Sequence, residues 1–318
     1  MRRLIALLWA LVLLLTSCGA QQREPADDGT LSVVSTLFPY YDFARAIGGS
    51  RVQVTLLLSP GRESHSYEPT PLDVIRISEA DVFLYNGGEG ETWVDETLEG
   101  LEAPGQVRER MMDHVDALEE ELAEGMEAEG GHGEEDDGHG HEIEYDEHIW
   151  TSPVNAMALA EAVCGALSQA DPEGAEYYAS NLADYQAQLQ SLDEEFRDVV
   201  AHAKRRILIF ADRFPLLYFC KTYGLDYRAA FQGCSGDTEP SVRTLAYLID
   251  KVQEEQIPVV YHLELSSEKI SGAVCESTGA KPLKFHSCHN VTRAEFEGGA
   301  TYLSLMQANV EALKEGLQ

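Results

Sequence analysis

The chain has 318 residues, of which 44% are hydrophobic, so it can form one large domain or two medium lobes. It carries 55 acidic and 23 basic side chains, which gives a formal net charge of −32 at pH 7. A negative field of this size repels nucleic acids and anionic headgroups and attracts cations, so nucleic-acid-binding functions are excluded first.

The N-terminus has the pattern of a bacterial export signal. Arg2 and Arg3 precede twelve apolar residues, LIALLWALVLLL, a stretch of signal-peptide length that is too short to span a bilayer. The LTSC at its end resembles a lipobox, although a plain secretory signal is the alternative. We predict a signal peptide over 1–17, lipidation of Cys18 and a flexible tether over 18–30. The protein would then be exported and lipid-anchored at the extracytoplasmic face of the cell membrane.

Strands and helices alternate from residue 31 onward. LSVVSTLF, VQVTLLLSP and DVFLYNGG have strand patterns, and YYDFARAIGG and PLDVIRISEA between them have helical patterns. The alternation returns in RRILIFAD, IPVVYHLEL and KPLKFHS. Because such alternation forms βαβ units, we predict an α/β fold with two lobes, 31–170 and 207–318, each with a mainly parallel sheet and flanking helices.

A strongly acidic segment follows within the first lobe, at 116–147. It contains fifteen Asp or Glu residues and no Lys or Arg, interleaved with glycines and with His132, His139 and His141. Like-charge repulsion and low hydrophobicity predict a disordered loop. We interpret its histidines as auxiliary, low-affinity metal ligands, while incidental histidines in a solvated loop are the alternative.

One long amphipathic helix is predicted between the lobes, over 171–206. Asp171 and Pro172 are typical of a helix start. Its apolar stripe recurs at helical spacing without a break: Tyr178, Leu182, Tyr185, Leu189, Leu192, Phe196 and Val199. A helix of this length would be a stiff spine, so we predict small lobe movements rather than a wide closure.

Beyond Cys18 the chain has five cysteines, an odd number for an oxidising compartment. Four of them follow residue 206, which predicts at least one disulfide in the second lobe. No CxxC pair is present, so a cysteine-rich zinc site is not expected. A disulfide between Cys234 and Cys288, both in loops at predicted sheet ends, would brace the loop of His286. Metal ligation by the Cys288 thiolate is the alternative.

Four short strings place titratable side chains at predicted strand ends, where open α/β sheets bind ligands. They are SPGRESHSYEPTP with His65, DEHIWTSP with His148, LIFADRFP with Asp212 and Arg213, and KPLKFHSCHN with His286 and His289. Taken singly, each has an ordinary interpretation. A loop histidine usually lies at the surface, His289 is expected to face solvent, and Asp212 could form a structural ion pair with Arg213.

Together the strings resemble a known family. PGRESHSYEPTP and DEHIWTSP are similar to two signature motifs of the metal-specific solute-binding proteins of bacterial ABC importers, the zinc and manganese receptors of cluster A-I. The string YGLDYRAAFQGCSGDTEPSVRTLAYLIDKV and the order of lipobox, lobe, spine helix and lobe are also similar to that family. The resemblance runs from about residue 31 to the C-terminus. In that family, four side chains hold the metal between the lobes.

The resemblance implies three histidines of this chain as metal ligands: His65, His148 and His286. At the remaining ligand position the family has the histidine of an HDAF-like string, where this chain has Ala211 followed by Asp212. We therefore take Asp212 as the third ligand, with water, His289 or Glu264 as alternatives, and His286 stands at the fourth position, where the family usually has an aspartate.

The predicted donors select the metal. Three imidazoles and one carboxylate suit tetrahedral Zn²⁺ better than manganese, which favours more oxygen ligands, although copper also fits by ligand softness. We interpret the chain as a monomeric, non-enzymatic zinc receptor, with Zn²⁺ as its cargo. The resemblance implies that it delivers the ion to the permease and ATPase of an ABC transporter.

Three other functions remain as alternatives. The first is a manganese or iron receptor of the same family, with Glu264 and Asp212 both ligating in place of His286. The second is a zinc metallohydrolase, against which the absence of an HExxH motif argues. The third is a surface adhesin with an incidental metal site.

Overall fold

The computed structural model describes residues 29–63, 67–126, 144–233 and 239–318. Its strands are β1 (Leu31–Ser35), β2 (Val52–Leu56), β3 (Val82–Tyr85), β4 (Val107–Arg110), β5 (Ile207–Phe214), β6 (Asp226–Gln232), β7 (Val259–His262) and β8 (Lys281–Lys284). Its α-helices are α1 (Phe38–Gly48), α2 (Pro71–Glu79), α3 (Thr92–Glu99), α4 (Pro153–Ala170), α5 (Ala175–Ala201), α6 (Leu217–Tyr223), α7 (Val242–Glu254), α8 (Lys269–Thr278), α9 (Arg293–Glu297) and α10 (Tyr302–Gly316). Within these ranges, no helix combines the length and the apolar character needed to cross a membrane.

The first sheet has the strand order β2-β1-β3-β4, and each pair of neighbours is parallel. Val33 of the central strand β1 pairs with Val54 of β2 and with Val82 of β3. Val33 and Val82 are fully buried, as expected for parallel strands that helices cover on both faces. The predicted parallel sheet of the first lobe is confirmed.

The second sheet repeats this arrangement with the order β6-β5-β7-β8, again parallel throughout. The register between β5 and β6 shifts between Phe210 and Arg213. The ADR string predicted to carry a ligand therefore lies in an irregular part of β5. The predicted two-sheet α/β fold is confirmed.

Helix α5 is the predicted spine, but it is shorter at both ends than the range 171–206. A separate 3₁₀ turn, Pro172–Gly174, comes first and is capped by Asp171, whose Oδ1 accepts from Gly174 N at 3.1 Å. The helix then runs for 27 residues, or about 40 Å. The predicted apolar stripe packs inward, with Leu182 half-buried and the others buried. These side chains belong to one apolar core that also includes residues of both sheets.

The last helix, α10, returns to the first lobe. Tyr302 at its start donates its backbone N–H to Asp42 Oδ2 of α1 at 2.8 Å, and its hydroxyl donates to the carbonyl oxygen of Trp150 at 2.7 Å. Residues 31–318 form one compact unit. The boundary predicted at residue 207 therefore separates the two sheets without dividing the core.

The described ends of the acidic segment, 116–126 and 144–147, are ordered, unlike the disordered loop predicted for all of 116–147. Glu119 and Tyr145 form an antiparallel bridge, flanked by backbone hydrogen bonds of 2.9 Å on both sides. The prediction of disorder is wrong for these two ends, which pair with each other. The part between them, 127–143, lies outside the described residues.

The paired ends pack against the second lobe. The hydroxyl of Tyr218 in α6 accepts from Leu118 N at 3.0 Å and donates to the carbonyl oxygen of Asp146 at 2.8 Å. Lys221 of the same helix pairs with Glu121 at 2.7 Å. The acidic segment thus spans from the first lobe to the second, and it ends at Glu147, directly before His148.

Candidate metal centre

A small cavity lies where loops from both lobes meet. Its volume is about 30 Å³, and its lining includes Glu63, His148, Glu264 and His289. Space of this size holds one ion or one or two waters. Glu264 follows β7 and His289 follows β8, so both lie at the carboxyl end of the second sheet, where open α/β sheets bind ligands.

His148 is buried in the wall of this cavity, with 1% of its surface exposed. It precedes α4, which begins at Pro153 with Ser152 as its N-cap. Asp146 Oδ1 lies 3.1 Å from His148 Nδ1 and accepts from His148 N at 2.8 Å. A carboxylate at Nδ1 fixes the ring and favours the proton on that nitrogen, so Nε2 is the nitrogen that a metal would use.

His289 brings a second imidazole to the same cavity. Its ring centre lies 5.3 Å from that of His148, with the planes at 79°. Two imidazoles on one tetrahedral zinc, with Zn–N bonds of about 2.0–2.1 Å, have ring centres about 5 Å apart. The two rings are therefore spaced for one shared ion. The expectation that His289 faces solvent is wrong, because it lines the cavity and is only partly exposed.

His286, the ligand implied by the family resemblance, faces a different set of groups. Of the described residues, those that line the cavity do not include His286. Its Nδ1 accepts from Cys288 N at 2.9 Å, and its Nε2 lies 3.6 Å from Glu295 Oε2. The His286 ring, with Lys284 and Thr292, holds the pKa of the Glu295 carboxyl far below its usual value. Nδ1 of His286 is therefore engaged, whereas its Nε2 is buried without a hydrogen-bond partner among the described residues.

The loop that carries His289 is tightly braced. Glu264 accepts from Ser287 N at 2.9 Å and from Ser287 Oγ at 2.6 Å, and the backbone N–H of His289 donates to Ser287 Oγ at 3.2 Å. Cys288 has a φ of 60°, a conformation that non-glycine residues rarely adopt. The hydrogen bond from Cys288 N to His286 helps to hold it there. His286 thus shapes the loop that presents His289.

Asp212, the predicted carboxylate ligand, accepts hydrogen bonds from the backbone. It is 8% exposed, and its two oxygens accept from Leu263 N at 2.9 Å and from Arg213 N at 2.8 Å. It lines an adjoining cavity of about 340 Å³, which shares Glu63 and Arg213 with the cavity that contains the two imidazoles. Asp212 itself does not line the cavity of His148.

Several predicted site residues lie outside the described residues: Cys18, His65, His132, His139, His141 and Cys234. Two neighbours of His65 are described. Glu63 lines the cavity of His148, and Tyr67 lines a smaller adjoining cavity that also includes His289. Within the four described ranges, no group of three or more His, Cys, Asp or Glu residues is placed to hold a metal ion. Cys288 is buried and free, as are Cys220 and Cys275, so the predicted disulfide between Cys234 and Cys288 is not present.

Buried carboxyl groups lie near the centre, while Arg62 and Arg213 line its cavity. Burial raises the pKa of Glu91 to about 7 and that of Glu120 to about 7. Burial also raises the pKa of Glu147, which lines the adjoining cavity together with Glu91 and His289. Carboxyl groups held in such a low-dielectric region favour a cation nearby, because it stabilises their charged form.

The sequence predictions missed three residues that shape the centre: Asp146, Trp150 and Asn290. Asp146 could have been recognised, because the string DEHIW places a carboxylate two residues before His148 and carboxylate–histidine pairs are typical of metal sites. Trp150 and Asn290 contact residues far away in the chain, and no local pattern reports such contacts.

Residues 33–316 match the family described as zinc-uptake complex component A, periplasmic (ZnuA). The chain is 32% identical over 318 residues to the zinc-binding lipoprotein AdcA of Streptococcus pneumoniae. This alignment covers 99% of this chain but only 61% of that protein. It is 32% identical over 321 residues to the high-affinity zinc uptake system protein ZnuA of Bacillus subtilis. That alignment covers 97% of this chain and 95% of the relative. The crystal structure of the Zn(II)-bound ZnuA-like domain of Streptococcus pneumoniae AdcA aligns with a TM-score of 0.75 at 30% identity, over 91% of this chain and 99% of that one. The chain therefore belongs to the ZnuA family of zinc-uptake components.

Proposed function

We propose that this chain is an extracytoplasmic receptor that binds Zn²⁺ tightly as cargo and delivers it to the permease and ATPase of an ABC transporter. One observation carries the proposal: His148 and His289, from different lobes, share one small cavity at a spacing that suits a single zinc ion. The names of the relatives, which describe zinc-binding and zinc-uptake proteins, support it. The chain would act by capture and release, without covalent chemistry.

The proposed ligands are His65, His148 and His289, with Glu264 as the carboxylate. His65 is included because Glu63 and Tyr67, close to it on either side, line the two cavities that contain His289. Glu264 lines the metal cavity directly. His289 and Glu264 are proposed in place of His286 and Asp212, because the first two line the cavity of His148 and the other two do not.

This donor set favours zinc over manganese. Imidazole nitrogen with a single carboxylate fits four-coordinate Zn²⁺, whereas Mn²⁺ favours a shell richer in oxygen. The proposal therefore predicts that manganese competes poorly for the site.

The receptor is further proposed to be an exported monomer, lipid-anchored through Cys18 after removal of residues 1–17. The sequence pattern supports this, as does the lipoprotein name of the pneumococcal relative. In this proposal His132, His139 and His141 supply auxiliary weak binding.

The test is a competition titration of the metal-stripped chain with zinc and manganese. We expect one tight zinc per chain, retained when residues 127–143 are deleted, because both described imidazoles lie outside that segment. Manganese should bind at least about 10-fold more weakly, in line with the donor preference. Several weak sites that disappear with the deletion would contradict the proposal, as would preference for manganese.

A second prediction concerns the residue that orients His148. Replacing Asp146 with alanine removes the carboxylate at Nδ1, so the ring loses its fixed tautomer and orientation. We expect zinc affinity to fall about 10–100-fold, the usual effect of losing such a partner. Asp113→Ala is the matched control, since it removes an exposed carboxylate of the same lobe and tests the loss of charge alone. Equal zinc affinities in the two variants would show that Asp146 does not orient the ligand.

A further inference from the structure

Asn290 connects the loop that carries His289 to a loop of the opposite lobe. Its side-chain amide donates two hydrogen bonds, to the carbonyl oxygen of Ser59 at 2.9 Å and to that of Arg62 at 2.8 Å. These partners lie 231 and 228 residues away along the chain. They belong to the loop after β2, which leads directly into Glu63 and His65. One side chain thus joins the two loops proposed to carry ligands from the two lobes.

The connection is buried and has a second part. Asn290 is 2% exposed, and its Oδ1 accepts from Val291 N at 2.8 Å, which fixes the orientation of the amide. The carbonyl oxygen of Val291 in turn accepts from Gly61 N at 2.7 Å. Three hydrogen bonds therefore cross between residues 59–62 and residues 290–291. A buried carbonyl that loses its donor is costly, so this contact is not expected to open freely.

We propose that Asn290 is a positioning residue that joins the two metal-binding loops into one body, so that neither loop can withdraw its ligand from zinc alone. The inference rests on the proposed function, since it assigns a role within that metal site. Asn290 need not touch the ion. It immediately follows His289 and holds the backbone just before Glu63, which lines the same cavity. Its effect should therefore appear in how long zinc stays bound.

This role differs from simple stabilisation of the fold. A ligand loop that moves independently lets zinc leave sooner, while capture by the remaining ligands is little changed. Loss of Asn290 should therefore raise the dissociation rate and leave the association rate nearly constant. A residue that only stabilises the fold would change the unfolding transition and neither zinc rate.

The experiment compares full-length wild type, Asn290→Ala and Asn181→Ala in detergent. Asn181 is the matched control, because its amide also donates to a backbone carbonyl, that of Ile47 at 2.8 Å, and it does not line the cavity. Zinc release is followed by stopped-flow mixing with a chelator, and zinc capture by a fluorescent competitor. We expect about tenfold faster release from Asn290→Ala, for the loss of two hydrogen bonds, and less than about twofold change in Asn181→Ala. Asn290→Ser, which retains one donor, should fall between them and replaces the alanine variant if that variant does not fold.

Hydrogen exchange at residues 59–62 gives an independent reading in the zinc-free protein. We expect faster exchange at Gly61 in Asn290→Ala than in wild type or Asn181→Ala. Wild-type zinc release from the Asn290 variants would overturn the inference while leaving the proposed receptor function intact. A wild-type chain that does not retain zinc would instead overturn the proposed function, and the positioning role with it.

Discussion

Replacement of His289 by alanine is expected to weaken zinc binding by at least about 100-fold, because even the loss of an outer partner of a metal ligand costs about 10–100-fold. His286→Ala should behave differently. It leaves Cys288 N without its acceptor and is expected to lower the free energy of unfolding by about 1–3 kcal/mol, while zinc binding falls by less than about 10-fold, as for a residue outside the ligand shell. Competition titrations and urea unfolding of both variants separate the two histidines.

His114→Ala is the control for this pair, since His114 is an exposed histidine that pairs with Glu109 outside the cavity. Its zinc affinity should equal that of the wild type. The reverse pattern, with tight binding retained in His289→Ala and lost in His286→Ala, would assign the ligand role to the residue that the family resemblance implies. It would also require the His286 ring to turn away from Cys288 and Glu295.

The two sheets were predictable because their signals are local. Each strand is a short apolar run between turn residues, and a parallel sheet buried on both faces selects such runs. The spine was predictable from the stripe between Tyr178 and Val199. Its ends were not, because Asp171 begins a separate 3₁₀ turn whose hydrogen bonds mimic a helix start.

The structure of the acidic segment, in contrast, could not be predicted from local signals. Composition alone predicts that residues 116–147 repel one another and stay unstructured. The structure pairs the two ends of this segment and attaches them to Tyr218, about 100 residues away from Leu118. A contact with another lobe can order a chain that its own composition would leave disordered, and nothing in the local sequence records it.

The candidate site was predictable for His148 and not for its partner. DEHIWTSP combines the proposed ligand, the carboxylate that orients it and a helix start in eight residues, so the sequence string contains most of that half of the candidate site. KFHSCHN holds two histidines three positions apart, and their directions depend on the left-handed backbone at Cys288 and on the brace from Glu264. Both features follow from tertiary contacts, so the sequence string does not show which of the two histidines lines the cavity that the structure forms.

Trp150 is the residue that links the two halves of the centre. Its ring packs against His148 at 5.5 Å and His289 at 5.0 Å. Its Nε1 donates to Ser287 O at 2.9 Å, and its carbonyl oxygen accepts from the hydroxyl of Tyr302 at 2.7 Å. The side chain is fully buried. It therefore holds both imidazoles from one side and ties the first lobe to the loop of the second.

Trp150→Ala is accordingly expected to cause the largest loss of stability among the proposed variants. It should lower the free energy of unfolding by about 3–5 kcal/mol, because it leaves a large cavity in a packed core. Trp150→Phe keeps an aromatic ring but leaves Ser287 O without a donor, for an expected loss of about 1–3 kcal/mol. The phenylalanine variant should remain folded and release zinc faster, since the loop of His289 is less firmly held. Urea unfolding with and without zinc measures both effects.

Trp93→Ala is the control for the removal of a large aromatic side chain. Trp93 is half-buried, and its ring centre lies 5.4 Å from that of Tyr67. Its loss of stability should be clearly smaller than that of Trp150→Ala, because less of the ring is buried. A link between the lobes also predicts that zinc stabilises Trp150→Phe less than it stabilises the wild type. If zinc raised the free energy of unfolding of both equally, Trp150 would be a core residue without influence on the metal centre, and the two imidazoles would have to be held by the Asp146 and Glu264 braces alone.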